Sequence, residues 1–355
     1  MNWFSLARPI IHAMQPETAH DLTIKALRFG LVPTPPPQEY ESLHTTVCGL
    51  HFLNPIGMAA GFDKNAEVVS ALAKHGFGFV EAGTVTPLPQ AGNPKPRIFR
   101  LEEDEAAINR LGFNNKGADA FYANMKRART KRIVGANIGK NKTTENATSD
   151  YVLLLKRVYD VCDYITVNIS SPNTEGLRKL QERKQLDELI KAIYTTREKI
   201  VEETGTYKPV FVKIAPDNTP EQLEDIVIVA KKYEIDGLIV SNTTISRPET
   251  LQSVSRNETG GLSGKPLFDL STANLKIVYR LSEGKIPLIG VGGISSGEDA
   301  YAKIRAGASL IQIYTAFIYQ GFGLIQEIKD TLVACLERDG FSHISEAVGV
   351  DVRGE

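Results

Sequence analysis

Eight short apolar runs recur along the chain, at 56–60, 78–82, 133–138, 164–169, 210–214, 237–240, 287–291 and 310–313, and each is separated from the next by enough residues for a helix. The runs are of strand length, rich in Val and Ile, and not strictly alternating, the pattern of parallel strands covered on both faces. Helix signals stand between them. Val68, Val69 and Leu72 mark the core face of a helix predicted at 66–74 and stopped by Gly76. Thr219-Pro-Glu-Gln222 has the capping-box order with Pro at the first helical position, followed by Leu223, Ile226, Val227 and Ala230 on one face. Ser296-Gly-Glu-Asp299 opens another helix, closed by Gly307. Eight β/α units predict an α/β domain of the (β/α)8 TIM-barrel type over 38–355.

The segment 1–37 differs. Trp3, Phe4, Leu6, Ile10, Ile11 and Met14, then Leu22, Ile24, Leu27, Phe29 and Leu31, predict two short amphipathic helices ahead of the stiff linker Pro33-Thr-Pro-Pro-Pro37. Such a pair either packs onto the barrel or lies at a membrane surface, with Lys25 and Arg28 beside its apolar residues. Periodicity leaves both readings open. Two connections, 84–132 and 243–285, are long for βα loops and are expected to form lids or walls over the active face.

Polar and glycine residues close every predicted strand: Ala60-Gly-Phe-Asp63-Lys64-Asn65, Gly83-Thr84, Asn137 with Gly139-Lys140-Asn141, 168–173, Lys213, Ser241-Asn242-Thr243-Thr244, Gly292-Gly293 and Tyr314-Thr315. Barrel enzymes keep their active sites at this end of the strands. A lone Asn or Gly there is usually turn chemistry, but an inward ammonium must find an anion or polar partner. Lys64 and Lys213 therefore argue for an anionic ligand. The run Gly290-Val-Gly292-Gly293-Ile-Ser-Ser-Gly297 suits the barrel phosphate site that follows strands seven and eight. A Rossmann fingerprint would need glycine at Ser295, and Gly261-Leu-Ser-Gly264-Lys265-Pro lacks Walker spacing, so a mononucleotide phosphate such as that of a flavin fits better.

Composition narrows the field further. With 41 Lys and Arg against 42 Asp and Glu, the chain has a formal net charge of -1 and no general field for nucleic acid, which is not expected as a partner. Cys48, Cys162 and Cys335 lie far apart without CxxC spacing, which predicts neither a disulfide framework nor a zinc site. No apolar stretch approaches the roughly 18–20 residues of a membrane span, and no signal-peptide pattern opens the chain. His12, His20, His44, His51, His75 and His343 all fall outside the strand-end loops, so Ser171 lacks the partner of a Ser-His-Asp triad, and no metal-ligand cluster is evident. What remains is a pocket of amides, hydroxyls and two ammonium groups, suited to a planar anionic ligand.

These residues resemble a known family. Ala60-Gly-Phe-Asp-Lys64, Asn109-Arg-Leu-Gly-Phe113-Asn114, Asn168-Ile-Ser-Ser-Pro-Asn173, Gly261-Leu-Ser-Gly264-Lys-Pro and Gly290-Val-Gly-Gly-Ile294 are similar to motifs of the class 2, quinone-dependent dihydroorotate dehydrogenases of pyrimidine biosynthesis, and the resemblance runs essentially end to end. It implies FMN as cofactor and dihydroorotate, oxidised to orotate, as substrate. Ala60, Gly61, Phe62, Asp63, Lys64, Thr84, Asn137, Asn168, Lys213 and Ser241 would surround the flavin, with Gly264, Gly293, Tyr314 and Thr315 on its phosphate side. Lys64, Asn109, Arg110, Leu111, Gly112, Phe113, Asn168, Asn173, Asn242 and Thr243 would hold the substrate. Ser171 would take the proton from C5 of dihydroorotate while hydride leaves C6, and Lys213 would offset negative charge at the flavin's pyrimidine end. Class 1 relatives place Cys in the role of Ser171 and lack the amino-terminal helix pair. In class 2 that pair forms a passage for a membrane quinone, with His20, Arg100 and Tyr314 at the matching positions. Phe62 departs from a more usual aliphatic residue, and Ser241 and Thr315 are conservative hydroxyl choices. The resemblance further implies a monomer held peripherally on the cytoplasmic side of the cell inner membrane. Two other readings are a class 1-like flavin enzyme using fumarate or a nicotinamide-linked partner, and a flavin-free barrel serving as a membrane-associated binding protein.

Overall fold

Side chains alternate across a strand, and in this chain that alternation gives the second, fourth and fifth barrel strands an apolar lower interior and a polar upper one. The structure is a computed structural model that describes residues 3–34 and 36–353; the side chains of Trp3 and Ser5 are not described. Met1, Pro35 and the Trp3 side chain, used in reading the amino-terminal segment, and the last two residues of the predicted 38–355 barrel domain lie outside that description. Eight parallel strands, Ile56–Met58, Phe79–Val85, Ile133–Ile138, Tyr164–Asn168, Val210–Ile214, Gly237–Val240, Leu288–Val291 and Leu310–Ile313, form a closed barrel in chain order. The last pairs with the first through Ile311 and Ile56.

Phe79, Tyr164 and Phe211, on the second, fourth and fifth barrel strands, cluster inside the barrel with Ile239, Ile289 and Leu310. The rings of Phe79 and Tyr164, and of Tyr164 and Phe211, meet edge-on. Gly135 makes room for them, since a Cβ there would stand 2.1 Å from the Tyr164 ring. Two residues further along the same strands come Glu81, Thr166 and Lys213, so the interior changes from apolar to polar in one step of the pleat. Helices surround the barrel and bury its outer face in one large cluster that includes Val69, Leu72, Leu154, Ile190, Leu223, Leu275 and Ile304.

Three features correct or extend the sequence reading. The first barrel helix is Val69–Lys74, starting three residues later than predicted. The Asp63 carboxylate accepts the N–H groups of Glu67 and Val68, and Ala66 adopts a positive φ of 58°, which holds 63–68 as a loop. A hairpin not foreseen, Thr45–Val47 with Leu50–Phe52, closes the barrel floor by sending Val47 and Phe52 into the interior cluster. The long connections form walls through a shared antiparallel sheet: Ala106–Asn109 lies between Ile98–Leu101 and Gly261–Gly264, with Asn109 opposite both Ile98 and Gly261. Two stretches more than a hundred residues apart thus meet over the carboxyl ends of the strands.

The amino-terminal segment is the predicted pair of helices, Trp3–Ala13 and Pro16–Arg28. Polar contacts fasten it to the barrel domain. Arg97 makes a two-pronged ion pair with Glu17, at 2.7 and 3.1 Å, and Arg100 donates to the carbonyl oxygens of His12 and Met14 at the end of the first helix. Meanwhile Leu6, Ile10, Phe29 and Leu31 remain 65–73% exposed. No helix among the described residues is long and apolar enough to cross a membrane.

Candidate active site

At the carboxyl end of the barrel a cavity is lined by residues from several strand ends and by the small sheet above them. Of the predicted site residues it brings together Ala60, Gly61, Lys64, Thr84, Asn109, Leu111, Gly112, Phe113, Asn168, Ser171, Asn173, Lys213, Ser241, Asn242, Thr243, Gly264, Gly293, Tyr314 and Thr315. Phe62, Asp63, Asn137, Arg110, His20 and Arg100 do not line it. Asn137 lies just beneath, donating to Glu81 at 2.7 Å and accepting from Thr84 and Asn168. The Arg110 guanidinium turns away to Glu258, at 2.6 Å, and lies over the Phe99 ring.

The floor is a connected polar network. Glu81, fully buried, accepts hydrogen bonds from Asn137 (2.7 Å), Gln312 (2.8 Å), Tyr164 (3.0 Å) and Thr166 (3.0 Å). Asn168 continues it upward, donating to Thr84 and accepting from the Ser170 hydroxyl, which in turn accepts from Asn242. One arginine ties three strand-end loops: Arg178 donates to the Ser170 carbonyl, the Asp217 carboxylate and the Thr243 carbonyl. The amides are thereby fixed before any ligand arrives, which is what orientation of a bound molecule requires.

The two lysines are the site's charge. Lys213 is 5% exposed, and among the described residues its ammonium has neither a hydrogen-bond acceptor nor a carboxylate within ion-pair distance. Burial lowers its pKa, and the Glu81 carboxylate opposes that shift. Lys64, half-buried, donates to the Gly61 carbonyl at 2.8 Å, and burial pushes it down to about 8 against the pull of Glu17. Two ammonium groups that line the cavity from different strand ends, neither ion-paired among the described residues, favour an anion. Ser171, 7% exposed, accepts the N–H of Asn173 at 3.2 Å and has no histidine or carboxylate bonded to it. Asn173 itself is held by the carbonyl and side-chain oxygens of Asn109 in the small sheet.

A second recess beside Lys64 is lined by His20, Ile24, Phe62, Ile98 and Leu111. His20 meets the Phe62 ring edge-on at 5.2 Å, and Phe62 meets Tyr314 at 5.8 Å, an aromatic file from the second amino-terminal helix to the main cavity. Burial, and then the neighbouring Lys64 charge, push His20 down to about 3, leaving it neutral at physiological pH. Among the described residues no group of three or more His, Cys, Asp or Glu is placed to hold a metal ion.

Sequence reading missed Glu81 and Gln312, and also Ser263, Ser295 and Tyr319 on the cavity wall. Glu81 carried a usable signal, because a carboxylate in the middle of an apolar strand has to be paired. Ser263, in the small sheet, carried none of its own, since its neighbours there come from a distant part of the chain.

A sequence model of the family described as dihydroorotate dehydrogenase matches residues 42–336. The chain is 53% identical to the dihydroorotate dehydrogenase (quinone) of Parvibaculum lavamentivorans, over 99% of each chain, and 51% identical to that of Azorhizobium caulinodans, over 99% of this chain and all of the other. It is also similar to a crystal structure of the Eimeria tenella enzyme in complex with ferulenol, at 44% identity and a TM-score of 0.92, covering 95% of this chain and 96% of that one. The shared barrel and the near-complete coverage show that the chain belongs to the dihydroorotate dehydrogenase family, in its quinone-dependent class.

Proposed function

We propose that the cavity binds FMN and dihydroorotate together, that the chain oxidises dihydroorotate to orotate in the making of pyrimidines, and that a membrane quinone takes the electrons. The observation that carries this reading is the convergence of Ser171, Lys64, Lys213 and four asparagines, Asn109, Asn168, Asn173 and Asn242, on one cavity. The donor set fits a flavin mononucleotide. Lys213 is a buried cation without an anion, Gln312 has a buried side-chain oxygen without a partner, and the backbone N–H groups of Gly293 and Thr315 have no acceptor among the described residues. Ala60, Gly61, Thr84, Asn168, Lys213 and Ser241 would hold the ring system, and Gly264, Gly293, Tyr314 and Thr315 the phosphate end. When bound, the flavin supplies the acceptor for the hydride equivalent leaving the substrate.

The chain's own residues do the rest. Asn109, Asn168, Asn173, Asn242 and Thr243 offer amide and hydroxyl groups to the polar edges of the substrate ring, and Lys64 and Lys213 offset its charge and that of the cofactor. Leu111, Gly112 and Phe113 wall the pocket, while Arg110, bonded to Glu258, acts on the loop rather than on substrate. Ser171 Oγ takes the proton from C5 as its own hydroxyl proton passes to a water relay, and the N–H of Asn173, which donates to Oγ, stabilises the negative charge that develops there. Exclusion of bulk water by the small sheet strengthens each of these interactions.

The amino-terminal helices are the route for the quinone, with His20, Phe62 and Tyr314 along it and Arg100 bracing the first helix. Their support is the contrast between polar fastening to the barrel and outward Leu6, Ile10, Phe29 and Leu31. The chain would act as a monomer bound peripherally at the cytoplasmic side of the cell inner membrane, and the outward apolar residues support the contact with a membrane surface. Turnover of dihydroorotate with a short-chain quinone, and none with fumarate or NAD, tests the reading. Turnover with fumarate or NAD instead would assign the chain to the class 1 chemistry.

A further inference from the structure

Lys303, in the helix Gly297–Arg305, is fully buried, yet among the described residues it belongs to no ion pair, and it takes no part in the chemistry above. Its ammonium donates to the hydroxyl of Ser271 and, at 3.5 Å, to the carbonyl of Phe268, and stands 4.9 Å from the centre of the Phe268 ring. All these partners are neutral. Asp299 and Asp269 are the nearest opposing charges, but neither is within ion-pair distance, and Asp299 is engaged by the N–H and hydroxyl of Ser295. Burial pushes Lys303 down to about 7. A buried charge without a counter-ion is costly unless something nearby compensates it.

The compensating place is visible in the glycine turn beside it. A Cβ on Gly292 would stand 2.9 Å from the Ser271 hydroxyl, and one on Gly293 would stand 2.4 Å from the Phe268 Cα. The turn therefore rests directly on the two residues that hold the ammonium, and the Ser271 hydroxyl reaches the Gly292 carbonyl at 3.0 Å. On its other side the turn lines the cavity, where the Gly293 N–H lacks an acceptor among the described residues. Ser271 and Phe268 therefore link the charge to the turn, and the turn faces the cavity.

We propose that Lys303 is a positioning residue which holds a positive charge behind the Gly292-Gly293 turn, so that the cavity selects a ligand ending in a phosphate dianion over the same ligand without it. This rests on the reading that the cavity takes a flavin. The test titrates the full chain, freed of flavin, with FMN and with riboflavin, which differ only in the phosphate. Lys303→Met, which keeps the length of the stem and removes the charge, is expected to weaken FMN binding about 10- to 100-fold and to leave riboflavin affinity unchanged. Unchanged FMN affinity, or equal loss of both ligands, would overturn the proposal, because a merely structural role moves both together. Should Lys303→Met fail to fold, Ser271→Ala retains the charge but cuts its link to Gly292; it is expected to lower FMN affinity alone, and a parallel loss of riboflavin overturns the proposal. A parent chain that binds neither flavin overturns the cofactor reading itself.

Discussion

Replacing Glu81 by alanine tests how far the cavity floor depends on one carboxylate. The substitution strands four buried donors, on Asn137, Tyr164, Thr166 and Gln312. At about 1–3 kcal/mol for each unsatisfied buried group, the gross cost is about 4–12 kcal/mol. Water entering the space left behind offsets part of it, and the two hydroxyls can turn toward other acceptors. A net loss of about 4 kcal/mol is expected, a large share of the roughly 5–15 kcal/mol that holds a native protein folded. Glu81→Gln keeps one acceptor oxygen but turns an NH2 toward the remaining donors, and about half that loss is expected. Urea denaturation followed by far-UV circular dichroism and intrinsic fluorescence measures both. A Glu81→Ala protein within about 1 kcal/mol of the parent would refute the argument that these four donors depend on the Glu81 carboxylate. The same change removes the charge that sustains the Lys213 ammonium, so it is also expected to weaken flavin binding.

Ser171→Ala is expected to abolish nearly all turnover, about 1000-fold or more, while keeping the flavin, and Ser171→Cys to retain a part; steady-state assays beside the visible spectrum check both, and an active alanine variant removes Ser171 as the base. Deleting 1–37 is expected to impair quinone reduction more than flavin reduction by dihydroorotate in stopped-flow traces, whereas equal loss of both half-reactions would make the segment structural. Lys64, lowered from 10.5 to about 8 by burial, binds fewer protons folded than unfolded between those values. Its buried charge therefore costs stability below about pH 8, on the order of 3 kcal/mol, and the cost is relieved as pH rises toward 10.5. In the ligand-free protein, Lys64→Met is expected to flatten the rise in stability over that window relative to the parent, as read from denaturation midpoints; an unchanged profile would contradict the assignment.

Much of this architecture is legible in the sequence because parallel strands buried on both faces leave an unbroken apolar run. The strands 133–138, 210–214, 237–240 and 310–313 have the predicted bounds. Lys213 and Asn168 were readable because a polar group at the end of such a run faces the barrel mouth. The start of the first barrel helix was not, since capping by Asp63 depends on a loop conformation that the helical periodicity of 66–74 does not report. The small sheet over the site was hidden for a different reason: Asn109 finds Gly261 only after the barrel has brought two distant loops together. Arg100 is instructive as well. From sequence it stands as a ligand for a quinone; in the folded chain its guanidinium caps carbonyls of the first helix, a role that requires the helix pair to be docked. His20 looked remote from the strand ends and reaches the edge of the site by the same docking.

The central claim is that dihydroorotate reduces a flavin held in this cavity and that a quinone reoxidises it. Anaerobic addition of dihydroorotate to the purified protein, followed at the flavin absorbance near about 450 nm, tests it most directly. Bleaching, reversed on adding a soluble quinone, is the expected result. A colourless protein, or a yellow one that dihydroorotate leaves unbleached, would contradict it.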